Sequence, residues 1–122
     1  MSERLPMATG ADQIELALTE QRQEITAKFF HGLSDLTRLR IVELLLDEGE
    51  QNVSDLVASL GQSQGRISNH LACLRWCGYV DSRREGKFVY YRVSDPRVRQ
   101  LISLAHTMIA DNAAAILSCT RI

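Results

Sequence analysis

This 122-residue chain lacks an export signal, a disulfide framework and a long apolar run. No apolar run approaches the roughly 20 residues of a membrane span, which argues against a spanning helix. Met1–Gly10 has no basic segment followed by an apolar one, so secretion is not expected. Cysteine is sparse and odd in number (Cys73, Cys77, Cys119), which argues against a framework of paired cysteines. In the reducing cytoplasm implied by the missing signal, all three are thiols, either buried filler or chemistry. A nucleophile–base pair, a phosphate-cradling glycine loop and convergent carboxylates are missing too, so no enzyme activity is expected.

Net charge is also nearly absent, but the balance hides a strong asymmetry. Residues 1–62 hold 5 Lys and Arg against 11 Asp and Glu, whereas residues 63–99 hold 8 against 3. An acidic first half and a basic centre cancel in the sum. A concentrated basic stretch is the footprint of a polyanion partner or an arginine-rich solvated surface, and charge alone does not separate the two. The length and the 45% hydrophobic content are those of one globular domain. Residues 1–10 read as a disordered tail and residues 11–122 as the domain.

Hydrophobic spacing predicts a helix from Ala11 to about Gly32, carrying Ile14, Leu16, Leu18, Ile25, Phe29 and Phe30. Ser34 or Asp35 caps a second helix with Leu36, Leu39, Val42, Leu45 and Leu46 on one broad face, stopped at Gly49. Asn52 or Ser54 caps a short third helix, Gly61-Gln62 breaks it, and Ser63 caps a fourth from Gln64 to about Trp76. A short helix, a tight glycine turn and a longer helix form the helix-turn-helix layout. Alternating strands then follow at Tyr79–Arg84 and Phe88–Val93 around Glu85-Gly86-Lys87. Asp95-Pro96 opens a last helix that is apolar over more than one face, a surface that wants a second copy. The order is α-α-α-α-β-β-α, a mainly α fold with a small β element.

At about 100° per residue, Ile67, Leu71 and Leu74 make the buried stripe of the fourth helix. The opposite face collects Gly65, Ser68, Asn69, Ala72 and Trp76, flanked by Gln64 and Arg66. Small and polar residues there suit a helix entering a major groove, where Ser and Asn reach base edges or phosphates. Arg83, Arg84, Lys87 and Arg92, interleaved with Tyr90 and Tyr91, form a basic hairpin beside it, suited to phosphate contacts. Together these elements describe a winged helix-turn-helix that binds double-stranded DNA. A winged module used only for protein contacts is the rival.

The runs LSDLTRLRIVELL and VSDLVASLGQSQGRISNHLACLRWCGYVDSRREGKFVYYRVSD resemble the ArsR/SmtB family of bacterial metal-sensing repressors over about Phe29 to Asp95. The motif residues are Ser68, His70, Leu71, Leu74, Arg75 and Gly78. The resemblance implies a homodimer through the first and last helices that leaves its operator when an inducer binds, and it places His70 in the DNA-reading helix.

Cys73 and Cys77, four apart, share a helix face beside Arg66 and His70. Two thiolates one turn apart can close on one soft cation through bonds of about 2.3 Å or longer, with Cys119 as the third. Two small packed residues are the plainer alternative. The segment Cys73-Leu74-Arg75-Trp76-Cys77-Gly78 resembles the cadmium- and lead-sensing CmtR branch of the family. That likeness implies an inducer ion (cadmium, lead or, equally by ligand type, mercury) on Cys73, Cys77 and Cys119. Cys119 matches only by region. Other family metal sites are not expected: Asn52-Val53-Ser54-Asp55 stands where arsenic and cadmium sensors carry cysteines, and His106 and Asp111 are off a shared face. A thiol-redox switch on the same fold is the other alternative, disfavoured by the i, i+4 spacing on a rigid helix.

Overall fold

The computed structural model describes residues 10–121, without the side chains of 10–14 and 16–18. The tail expected over residues 1–10 therefore lies, but for Gly10, outside the described residues, as do the side chains of Ile14, Leu16 and Leu18. The order is α1 (Gly10–His31), α2 (Leu36–Glu48), β1 (Gln51–Asn52), α3 (Val53–Leu60), α4 (Gln64–Trp76), β2 (Asp81–Glu85), β3 (Phe88–Arg92) and α5 (Pro96–Ser118).

Local chemistry sets these boundaries. The Asp35 carboxylate accepts from the Arg38 N–H at 3.0 Å and starts α2. Asn52 and Asp55 satisfy each other's backbone N–H groups in a capping box that starts α3. Gly61 ends α3 at a φ of 69°, a left-handed conformation that most residues avoid, and two residues later the Ser63 hydroxyl caps α4. The helix-turn-helix angle is thus written into Asn52, Gly61 and Ser63.

The core is the meeting of the inward stripes. Ile41, Val42 and Leu45 of α2, Leu56 of α3 and Ile67, Leu71 and Leu74 of α4 are buried together with Tyr79, Val80 and Val98. Each such side chain contributes about 1.5–3 kcal/mol on leaving water, so the α4 stripe alone anchors that helix. α1 joins through its last turn, where the Phe29 ring stacks on Tyr79 at 4.6 Å and the Tyr79 hydroxyl donates to the Phe29 carbonyl at 2.6 Å.

The sheet has three strands in the order β1-β3-β2, all antiparallel. The expected hairpin is there, with Glu85 opposite Phe88 across a two-residue turn. Its first strand starts at Asp81 rather than Tyr79, because Tyr79 and Val80 are spent on the core. β1 went unpredicted: two residues carry no period, and they become a strand only by pairing with Tyr90 and Tyr91.

α5 corrects one expectation, since by length and composition it is apolar enough to cross a membrane. Thr107, Asp111 and Asn112 interrupt the run and hide this from a count of consecutive apolar residues. Its first turns instead pack on the domain: Val98 and Ile102 are buried, Arg99 donates to the Leu46 carbonyl at 2.7 Å, and His106 meets Glu43 at 3.2 Å. On its other side and beyond them Leu104, Met108, Ile109, Ile116 and Leu117 are exposed.

Candidate DNA interface and thiol pair

With Ile67, Leu71 and Leu74 inward, α4 turns Gln64, Gly65, Arg66, Ser68 and Asn69 outward, all exposed. Gly65 has nothing within 4 Å of where a Cβ would sit, so its bareness is open space on the outer face. His70, also expected at the DNA, is half-buried rather than exposed. Its ring turns back toward α2, with Nδ1 3.4 Å from Arg38 Nη1 and Nε2 3.9 Å from Asp35 Oδ2. In the Nε2–H tautomer Nδ1 accepts from Arg38, and Nε2–H faces the Asp35 carboxylate from beyond hydrogen-bond distance. Asp35 also caps α2, so His70 fixes the seating of α4 on α2 rather than reaching outward.

The basic hairpin also divides. Arg83 Nε and Nη2 donate to Glu50 at 2.8 and 2.7 Å, and its Nη1 donates to Glu85 at 2.8 Å. Its guanidinium carbon lies 4.9 Å from the centre of the Tyr90 ring. Arg92 donates to Asp81 at 3.1 Å. Both cations are matched by carboxylates within the protein and brace the sheet. Arg84, opposite Val89, and Lys87, in the turn, make no salt bridge among the described residues. Arg75 near the end of α4 donates to Ser82 at 3.1 Å and ties the reading helix to the wing. Glu50 was missed as a wing residue. Its only sequence signal was its charge, since the contact spans 33 positions.

Cys73 and Cys77 come together at the C-terminal end of α4, where Cys77 is the cap residue. Burial pushes the Cys77 thiol up from its ordinary value, and the neighbouring Cys73 sulfur adds to the shift by charge and by hydrogen bonding. The Cys77 Sγ faces the Lys28 carbonyl at 4.0 Å. A Cβ placed on Gly32 would sit 3.1 Å from that sulfur, so α1 passes directly over it. The pair opens into a groove of about 590 Å³ between α1 and α4, walled by Ile25, Phe29, Ala72 and Trp76 with Lys28, His31 and Asn69. Cys119, exposed at the end of α5, does not join them within one chain: among the described residues no three His, Cys, Asp or Glu side chains converge. The donors present suit a soft ion, two sulfurs and no carboxylate, and the set is complete for two-coordinate binding only.

Residues 35–82, from the cap of α2 to the start of the wing, match the profile of the bacterial regulatory protein arsR family. Over 99 residues the chain is 50% identical to a probable mercury resistance operon repressor of Streptomyces lividans, covering 81% of this chain and 78% of that one. It is 39% identical over 92 residues to the HTH-type transcriptional regulator CmtR of Mycobacterium bovis, 75% of this chain and 77% of that one. Among solved structures, a homodimeric winged helix-turn-helix DNA-binding domain from Mycobacterium bovis matches with a TM-score of 0.69 and 25% identity, over 90% of this chain and 94% of that one. The fold, the helix-turn-helix and the wing agree with these relatives, and the chain belongs to the ArsR family of bacterial regulatory proteins, which are DNA-binding transcription regulators and not enzymes.

Proposed function

We propose that this protein is a homodimeric repressor in the cytoplasm that lets go of operator DNA when a thiophilic heavy-metal ion (cadmium, lead or mercury) binds its cysteine thiolates. The observation that carries the reading is the Cys73–Cys77 pair, set in the reading helix and pressed against α1. The name of the Streptomyces relative points the same way.

Gln64, Gly65, Arg66, Ser68 and Asn69 enter the major groove, and Arg84 and Lys87 meet phosphates. His70, Arg83 and Arg92 hold the reading helix and wing in place. The dimer forms through α1 and α5, whose exposed Phe30, Leu104, Met108 and Leu117 would otherwise face water. The homodimeric relative supports a dimer, without saying which helices form it.

When bound, the ion supplies metal–sulfur bonds that fix the separation of the sulfurs. Cys73 and Cys77 would hold it, with Cys119 of the second copy as the third ligand, since Cys119 does not converge with them within one chain. Cys77 Sγ faces the last turn of α1, 4.0 Å from the Lys28 carbonyl, with room at Gly32 for no side chain. A shift of its sulfur therefore moves α4 against α1, and through α1 changes the spacing of the two reading helices. By linkage, metal weakens DNA binding by the factor that DNA weakens metal binding, typically about 1–3 kcal/mol.

The test is operator binding followed by fluorescence anisotropy with cadmium, lead and mercuric salts. Cys73→Ser and Cys77→Ser are expected to keep operator affinity and lose release by metal. Release that persists in both variants would refute the assignment.

A further inference from the structure

We infer that the groove beside Cys73 and Cys77 takes organomercury monocations, R–Hg⁺, with mercury on sulfur and the apolar R group against Phe29 and Trp76. The inference rests on the heavy-metal reading of that same pair and names a ligand class for it.

Three features of the groove lead there. The first is donor number. One chain offers two sulfurs one helical turn apart, and among the described residues no third His, Cys, Asp or Glu side chain joins them. Cadmium or lead needs a further sulfur from outside that chain, Cys119 of the second copy, whereas R–Hg⁺ already carries one carbon ligand and needs a single sulfur to become linear. The second is charge. One thiolate on R–Hg⁺ gives a neutral S–Hg–R unit, which a half-buried, mostly apolar groove accepts without the desolvation penalty of a net anion.

The third is space. The groove measures about 590 Å³, within the roughly 300–1,000 Å³ of small-molecule pockets and far more than a bare ion fills. Its walls beyond the sulfurs are mostly Ile25, Phe29, Ala72 and Trp76, which offer an aryl or alkyl group a great deal, with Lys28, His31 and Asn69 as the polar part of the lining. Trp76, the chain's one tryptophan, is 85% exposed at the rim. An aromatic R group lying against that indole would cover it, and aromatic contacts favour such a pairing beyond the area they bury.

The binding step is a ligand exchange that balances without an oxidant or reductant. A Cys thiol reacts with R–Hg–X to give Cys–S–Hg–R, a proton and X⁻. The S–H and Hg–X bonds break, the S–Hg bond forms, and the Hg–C bond is untouched. The adjacent thiol stays within reach, so mercury can pass from one sulfur to the other.

Equilibrium dialysis of the reduced full-length chain against phenylmercury acetate, methylmercury chloride or mercuric chloride, each in excess glutathione, tests this. Mercury per chain is counted and each affinity is expressed relative to that of glutathione for the same compound. Phenylmercury is expected to exceed methylmercury by at least tenfold. In Trp76→Ala and Ile25→Ala that ratio should fall below threefold, while mercuric ion, which has no R group, changes less than threefold. Equal relative affinities for phenyl and methyl in the wild type, with mercuric ion still lost in Cys73→Ser and Cys77→Ser, would overturn the inference and leave the heavy-metal reading standing. Binding of none of the three, or binding indifferent to both cysteine substitutions, would overturn both.

Discussion

Arg83 lies over the ring of Tyr90 and closes a fork on Glu50, with nitrogen–oxygen distances of 2.7 and 2.8 Å. Tyr90 is the cross-strand partner of both Arg83 and Asn52, so the clasp runs across all three strands. The most conspicuous arginine of the wing is thereby paired within the protein. Salt dependence separates this from a phosphate contact, because each neutralised phosphate contributes about 0.9 to the slope of log K against log salt. Arg84→Ala and Lys87→Ala are each expected to flatten that slope by about one contact. Arg83→Ala should weaken operator binding with little change of slope. A slope loss at Arg83 equal to that at Arg84 would show that the clasp opens on DNA.

Acid should loosen the same region. Hydrogen bonding from Arg83 holds the Glu50 carboxyl below its ordinary range, Ser94 and then Arg92 do so for Asp81, and Arg97 takes Asp95 down to about 2. A carboxyl depressed in the folded state adds stability that is complete above its unfolded value, near 4, and lost as pH falls through the folded one. The melting temperature is thus expected to hold level from pH 7 to about pH 5 and to fall between about pH 4.5 and 2. Glu50→Gln should blunt the fall. A wild-type melting temperature that does not change down to pH 3 would contradict the assignment.

Metal affinity should run with pH in the opposite sense to protonation. The Cys77 thiol is pushed up by burial and by Cys73, so at neutral pH it holds a proton that a metal must displace. Apparent affinity for cadmium is expected to rise at least about tenfold per pH unit between pH 6 and 8, read by competition with a chromophoric chelator of known proton dependence. Cys77→Ser should remove about one proton from that dependence. An affinity indifferent to pH would rule out Cys77 as a ligand.

Gly32 offers a stability test. An added Cβ would lie 3.1 Å from Cys77 Sγ and from the Tyr79 ring, and 3.2 Å from the Phe29 carbonyl. Two of these neighbours are an aromatic ring buried in the core and a backbone carbonyl, neither free to yield. Gly32→Ala is expected to destabilise the protein by about 1–3 kcal/mol in urea unfolding, the range for overpacking. The common gain from replacing glycine by alanine, about 0.4–1 kcal/mol, would instead mean that α1 is free to lift.

Much of the scaffold was legible because its causes are local. Asn52, Ser63 and Asp95 cap helices through bonds that span two or three residues. Gly61 ends α3 through its own backbone, and the inward stripe of α4 is a matter of helical spacing alone. The two-residue β1 was not legible, since it exists only through Tyr90 and Tyr91. The direction of His70 was also hidden. The wheel put it on the flank with the cysteines, but Asp35 and Arg38, more than thirty residues earlier, draw the ring inward.

The thiol site shows the same division. Spacing alone placed Cys73 and Cys77 on one face, and composition alone made the centre of the chain basic. That α1 would roof the pair, that Cys119 would stand apart from it within one chain, and that Arg83 and Arg92 would be matched by Glu50 and Asp81 were decided by tertiary packing. A period or a cap is set by backbone geometry within a few residues. A partner is set by where two distant stretches are brought when their apolar faces leave water, and no local pattern carries that information.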